Sequence, residues 1–205
     1  AEQAGLDGRL IVTLAAGLFI LPFFLFSATA GQLADQQEKS ALIRRIKLAE
    51  IAIMALAVVA LQAESPQFLL LVLFLMGTQS AFFGPLKYGI LPDHLEEGEL
   101  IGGNGLLEAG TFLAILLGTR WGGLVILSDD GVTRLSITLL AVAVVGWLVS
   151  RKIPSAGPAA PDLKVNYNFL VETWAILRLA GSRRSLFLSI LGISWFWLVG
   201  ATYLT

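Results

Sequence analysis

Long apolar runs separated by short polar stretches set the character of this chain. Residues 10–30, 65–86 and 185–205 each continue without a charged side chain, and a helix of about 20 such residues crosses a bilayer core of about 30 Å. Three further runs are shorter or carry charge: 51–63 follows Glu50, 100–119 contains Glu108, and 135–150 lies between Arg134 and Arg151. The pattern predicts an all-α integral membrane protein with six transmembrane helices.

The polar stretches supply organisation. Residues 153–167, IPSAGPAAPDLKVNY, form the one Pro/Ala/Gly-rich linker, and such residues punctuate rather than continue helices. After it, Phe169, Leu170, Trp174 and Leu177 recur at helical spacing opposite Asn168, Glu172 and Arg178, the pattern of a short helix lying on a membrane surface. Gly181 and Ser182 then interrupt the pattern. Three parts follow: residues 1–152 with five helices, a linker with an amphipathic helix at 153–182, and a last helix at 183–205.

Charge sets the expected orientation. Of the 14 Lys and Arg residues, Lys39, Arg44, Arg45, Lys47, Lys87, Arg151, Lys152, Lys164, Arg178, Arg183 and Arg184 fall in alternate connections, which the positive-inside rule assigns to the cytoplasm. The opening AEQAGLDGRL lacks the basic start and cleavage site of a signal peptide and reads as an external polar loop. An external start suggests that a helix precedes it in a longer protein.

Composition agrees with the pattern. Hydrophobic residues make up 56% and charged residues 14%, against about 25% charged in soluble domains. A net charge of -1 gives no case for nucleic acid, and with no cysteine there is no thiol or disulfide chemistry. His94 among Asp93, Glu96, Glu97 and Glu99 reads as a solvated turn rather than a metal site or an acyltransferase motif. GGNG at 102–105 lacks the strand-to-helix setting of a nucleotide-binding turn. No cofactor or catalytic residue is expected.

Two features inside the apolar runs carry chemistry. Gly110, Ala114, Gly118 and Gly122 recur every four residues and so form a small-residue stripe on one helix face, suited to close packing, either static or sliding. A carboxylate within the membrane is costly and faces protein or water. Glu108, with Asn104 one turn before it, therefore belongs near Lys87 at the end of the preceding run, where the two depths differ by about 4–5 Å at the helical rise. Lys87, Asn104 and Glu108 are expected to form a polar cluster, unless Lys87 merely reaches anionic headgroups.

The connection GQLADQQEKSALIRR resembles a loop of the major facilitator superfamily, in which Gly-x3-Asp leads into basic residues. Gly31, Asp35 and Lys39 match it, while Gln36 and Glu38 replace its usual basic residue and glycine. More specific are Gly84, Pro85, Lys87, Tyr88, Gly89, Ile90 and Leu91, followed by Asn104, Gly105, Glu108 and residues 114–118. These resemble the bacterial lysophospholipid transporters of that superfamily, in the form fused to acyltransferase and acyl-carrier-protein ligase domains.

The resemblance implies helices 2–7 of a twelve-helix fold, in a multi-pass protein of the bacterial inner membrane. Its partners would be membrane lipids, the remaining helices and the fused domains of the same protein. The implied activity is movement of a lysophospholipid toward the cytoplasmic face by alternating access. In that scheme Lys87, Asn104 and Glu108 handle the headgroup, while Gly31, Asp35, Lys39, Arg44 and Arg45 latch the cytoplasmic helix ends. Two alternatives stand beside it: a transporter of another small amphiphile or organic anion, and a non-transporting anchor of a phospholipid-acylating enzyme.

Overall fold

The computed structural model describes residues 8–204; residues 1–7 of the expected external loop lie outside the described residues, and its remaining residues, 8–10, open the first helix. The chain forms seven α-helices: α1 (Gly8–Gln36), α2 (Lys39–Gln62), α3 (Pro66–Gly89), α4 (Leu100–Ile126), α5 (Gly131–Ser150), α6 (Phe169–Ser182) and α7 (Arg184–Leu204). Two compact units are formed, one through Val165 and one from Asn166 onward.

The start of α3 and the turn between α4 and α5 have local causes. Ser65 accepts from the Phe68 backbone N–H and Pro66 opens α3, a hydroxyl cap followed by a proline whose missing N–H costs nothing in the first turn. Between α4 and α5 the chain reverses through Asp130 at φ 58°. At the next position a Cβ would stand 2.6 Å from the Val125 carbonyl oxygen, so only Gly131 fits.

Within the first unit, α1 lies along α3, α2 packs on both α3 and α5, and α4 meets α5. The seams are built from small residues. Ala28, Ala30 and Ala34 of α1, Ala57 and Ala60 of α2, and Ala81 of α3 are all buried, which lets backbones approach closely where no hydrophobic effect drives helices together. At Gly77 of α3 any Cβ would collide with the Phe19 carbonyl oxygen of α1. Ala34, Ile43 and Leu86 close one core cluster at the basic end of the bundle, and Ala57, Ala60 and Val72 close another at the opposite end.

Four stretches of the described residues are long and apolar enough to cross a membrane: Ile11–Gln36, Pro66–Asp93, Glu97–Ile126 and Gly131–Ser150. The chain is thus a multi-pass, all-helical membrane protein. The second helix starts at Lys39, a dozen residues before the apolar run from which it was read, because its basic residues lie on the helix itself. In the second unit α6 begins at an Asn168 cap, which accepts from the Val171 N–H, and ends at Ser182 before an extended Arg183. Leu170, Trp174 and Leu177 of α6 are exposed.

The stripe on α4 is not one of the internal seams. A Cβ at Gly110, Gly118 or Gly122 would meet nothing within 4 Å, and Ala114 is exposed. The physical reason is that α4 buries Val125, near its end by α5, and exposes most of its length.

Candidate functional site

The basic end of the bundle gathers most of the polar side chains. Its first element is the α1–α2 turn, where Glu38 caps α2: its carboxylate accepts from the Ser40 N–H at 3.0 Å and the Ala41 N–H at 2.7 Å. A third backbone donor arrives from far along the chain, Ala156 N–H at 3.2 Å. Burial alone would push this carboxyl up, but the Ser40, Ala156 and Ala41 hydrogen bonds outweigh it and hold the acid below its ordinary value. Glu38, one of the two departures from the loop that this connection resembles, is therefore a helix cap.

Next to it, Lys39 turns inward. Its Nζ sits 2.7 Å from Asp93 Oδ2, with the lysine side chain 5% exposed and the aspartate 26%. Asp93 is placed by the 3-10 turn Leu91–Asp93 that follows α3, so the pair ties the start of α2 to the exit of α3. The other residues expected in a latch go elsewhere. Arg44 donates to Ser40 Oγ at 2.6 Å and stands 3.8 Å from Glu38, and Arg45 reaches Gln37 at 3.4 Å. Asp35 is exposed, and its backbone carbonyl accepts from Ala160 N–H. Gly31 has open space where a Cβ would stand.

The second element joins α3 to α4. Lys87 lies in the last turn of α3, where a cation also complements the helix dipole. Its Nζ donates to Thr111 Oγ1 at 2.8 Å and sits 4.9 Å from the centre of the Tyr88 ring. The Thr111 hydroxyl in turn donates to the Leu107 carbonyl. Tyr88 donates to Glu108 Oε1. Glu108 and Thr111 are three apart and share a face of α4, so two neighbours on α3 meet two on α4.

The expected trio of Lys87, Asn104 and Glu108 is thus rearranged. Lys87 and Glu108 stand in one interhelical layer, but each takes a different partner, Thr111 and Tyr88. Asn104 is exposed and its amide donates to the Leu100 carbonyl of its own helix at 2.8 Å. The cause is direction: helical side chains lean toward the N-terminus of their own helix. A comparison of Cα depths misses the partner by one turn.

The chain is similar to bacterial lysophospholipid transporters. It is 31% identical over 192 residues to lysophospholipid transporter LplT of Serratia proteamaculans, covering 90% of this chain and 44% of the relative. The corresponding proteins of Escherichia coli strain K12 and Shigella boydii are 30% identical over 191 residues, covering 90% of this chain and 45% of theirs. The chain spans less than half the length of these curated relatives. No family model matches the chain. No solved structure matches it.

A third polar group was missed by reasoning from the sequence. Lys47 and Glu50 of α2 pair at 2.8 Å, and Gln79 of α3 donates to the same Glu50 Oε2 at 2.7 Å. Lys47 also sits 4.8 Å from the centre of the Phe83 ring. Its signal was visible, since two opposite charges three apart and followed by an apolar run can share a helix face inside the membrane. Among the described residues no group of His, Cys, Asp and Glu is arranged to hold a metal ion.

Proposed function

We propose that this chain is the transporter region of a bacterial inner-membrane protein that moves lysophospholipids toward the cytoplasmic face. The supporting observation is the similarity, over nine-tenths of this chain, to proteins named as lysophospholipid transporters. In this reading α1–α5 and α7 are six crossings, and α6 lies on the cytoplasmic surface. Helix α2 has 24 residues, about 36 Å at the helical rise, enough for a core of about 30 Å. The six correspond to helices 2–7 of a twelve-helix major facilitator fold. The first helix, the second half and any fused acyltransferase and ligase domains belong to the rest of the protein.

The geometry suits a single-tailed phosphate amphiphile. Lys87 uses one of its three N–H donors on a neutral hydroxyl, which leaves a cation available to a phosphate oxygen. Glu108, held by Tyr88, faces the ammonium or hydroxyl side of the headgroup, with Asn104 one turn away. The open stripe of Gly110, Ala114, Gly118 and Gly122 is the seat for a helix from the rest of the transporter, which rocks against it. The Lys39–Asp93 pair, rather than Asp35, fastens the cytoplasmic ends in one of the two states.

Full-length protein reconstituted in liposomes, with labelled lysophosphatidylethanolamine presented outside, tests this. Protein-dependent movement to the inner leaflet, reduced in Lys87→Ala, is the expected result. No movement above that of empty liposomes sinks the transporter reading and favours an anchor.

A further inference from the structure

Two pairs of opposite charge in the first unit close tightly, Lys39 with Asp93 at 2.7 Å and Lys47 with Glu50 at 2.8 Å. Lys87 and Glu108 share one interhelical layer and do not close: among the described residues neither belongs to an ion pair. Open charges are the costlier arrangement in a membrane span, where little water replaces a missing partner. Opposite charges also attract more strongly as the dielectric falls. Something therefore keeps these two apart.

The side chain of Tyr88 touches both. Its ring centre is 4.9 Å from Lys87 Nζ, within reach of a cation–π contact, and its hydroxyl donates to Glu108 Oε1. Thr111 completes the arrangement: its hydroxyl donates to the Leu107 carbonyl and so turns a lone pair toward Lys87 Nζ at 2.8 Å. Each charge is thus held by a neutral hydroxyl rather than by the other charge. Reach is not the obstacle. Glu108 and Thr111 are three apart on α4, a spacing that leaves Cβ atoms about 5–6 Å apart, and a glutamate carboxylate extends further from Cβ than a threonine hydroxyl. A released Glu108 can arrive where Thr111 now meets Lys87.

We propose that Tyr88 is a positioning residue, with Thr111 as its counterpart: the two hydroxyls keep Lys87 and Glu108 from neutralising each other, so that both charges stay open to a lipid headgroup. The headgroup's part in this rests on the transport reading above, while the separation of the charges stands on the geometry. In a closed pair an incoming phosphate would first have to displace the carboxylate from Lys87. Tyr88→Phe keeps the ring beside the ammonium and removes only the hydroxyl that holds Glu108, and the freed carboxylate then moves to Lys87.

Two measurements on full-length protein test this. In detergent, Lys87→Ala and Glu108→Gln should act additively on unfolding in the wild-type background, and should become coupled about tenfold in the unfolding equilibrium once Tyr88→Phe is present. In liposomes, Tyr88→Phe should raise KM for labelled lysophosphatidylethanolamine about tenfold, the worth of one hydrogen bond to a charged group, and change kcat far less. Adding Glu108→Gln to Tyr88→Phe should bring KM back to that of Glu108→Gln alone, because the competing carboxylate is gone. A tyrosine that only filled space would impose the same loss in either background. If Tyr88→Phe does not fold, Thr111→Val takes its place, since it frees the lysine instead and should give the same coupling and the same rise in KM. Additivity in the folded variant, or an equal rise in KM with and without Glu108, overturns the proposal. If the wild type moves no lipid, the transport reading fails, and the unfolding comparison alone upholds or overturns the separation of the charges.

Discussion

Helices α3 and α4 look alike as sequence and behave differently as structure. Both are long, apolar and glycine-bearing, and both end on polar turns. Yet α3 buries Val72, Gly77, Ala81 and Leu86, whereas α4 buries only Val125 among its 27 residues. Apolar length takes a helix into the bilayer, but burial requires a partner that small residues can admit. On α3 that partner is α1, seated at Gly77. On α4 the four-residue stripe is ready for a partner that the described residues do not include.

The sharpest way to break the contrast is a pair of matched substitutions. Gly77→Leu drives a side chain into the Phe19 backbone and should cost about 3 kcal/mol or more, beyond ordinary overpacking because the backbone cannot yield. Gly118→Leu should change stability by less than about 0.5 kcal/mol, as at an open surface position. Unfolding of the purified chain in detergent measures both. Equal losses would mean that α4 packs as tightly as α3.

A second pair probes how α3 is tied at its exit. Asp93→Ala leaves the Lys39 ammonium buried without its carboxylate and should cost about 2–4 kcal/mol, near the range for a broken buried pair. Lys39→Met leaves Asp93, which reaches water, and should cost about 1 kcal/mol. The same unfolding assay should return that order; the reverse would mean that Lys39 also finds water.

The α3–α4 layer gives a smaller effect. Tyr88→Phe and Glu108→Gln should be non-additive in unfolding, with a coupling of about 1 kcal/mol, while Lys87→Ala and Glu108→Gln should add. Coupling between Lys87 and Glu108 instead would restore the direct pair. In the transport assay, the exchange Lys87→Glu with Glu108→Lys should recover no more movement than either single variant.

The smallest effect comes from Glu38. Its carboxyl is held below the ordinary value of 4.5 in the folded chain, so it contributes stability above that value and loses it as pH falls through the lower, folded one. The advantage of wild type over Glu38→Gln should therefore be present at neutral pH and vanish in acid below the carboxylate range. Denaturant midpoints at the two conditions decide it.

Much of this contrast was legible beforehand, and the rest has physical reasons for hiding. Apolar runs located α1, α3, α4, α5 and α7, because hydrocarbon leaves the backbone no alternative to helix. The first half of α2 was read as a loop because Arg44, Lys47 and Glu50 are charged; on the helix they are satisfied by Ser40, by each other and by Gln79. The layer at Lys87 and Glu108 was located by depth, but its actual bonds to Thr111 and Tyr88 depend on side-chain direction. The α4 stripe follows from the four-residue spacing alone. Whether a face is occupied is a property of the neighbour.

The proline-rich segment after α5 has a practical consequence for anyone dividing the molecule. Its composition suggests a loose tether that can be cut anywhere. Its backbone instead serves the α1–α2 turn: Ala156 N–H reaches Glu38, Ala160 N–H reaches Asp35, and the Leu163 carbonyl accepts from Gln36. A nick or a split point at 153 would take three fasteners away from the first unit, while one placed after Val165 would leave them all in place.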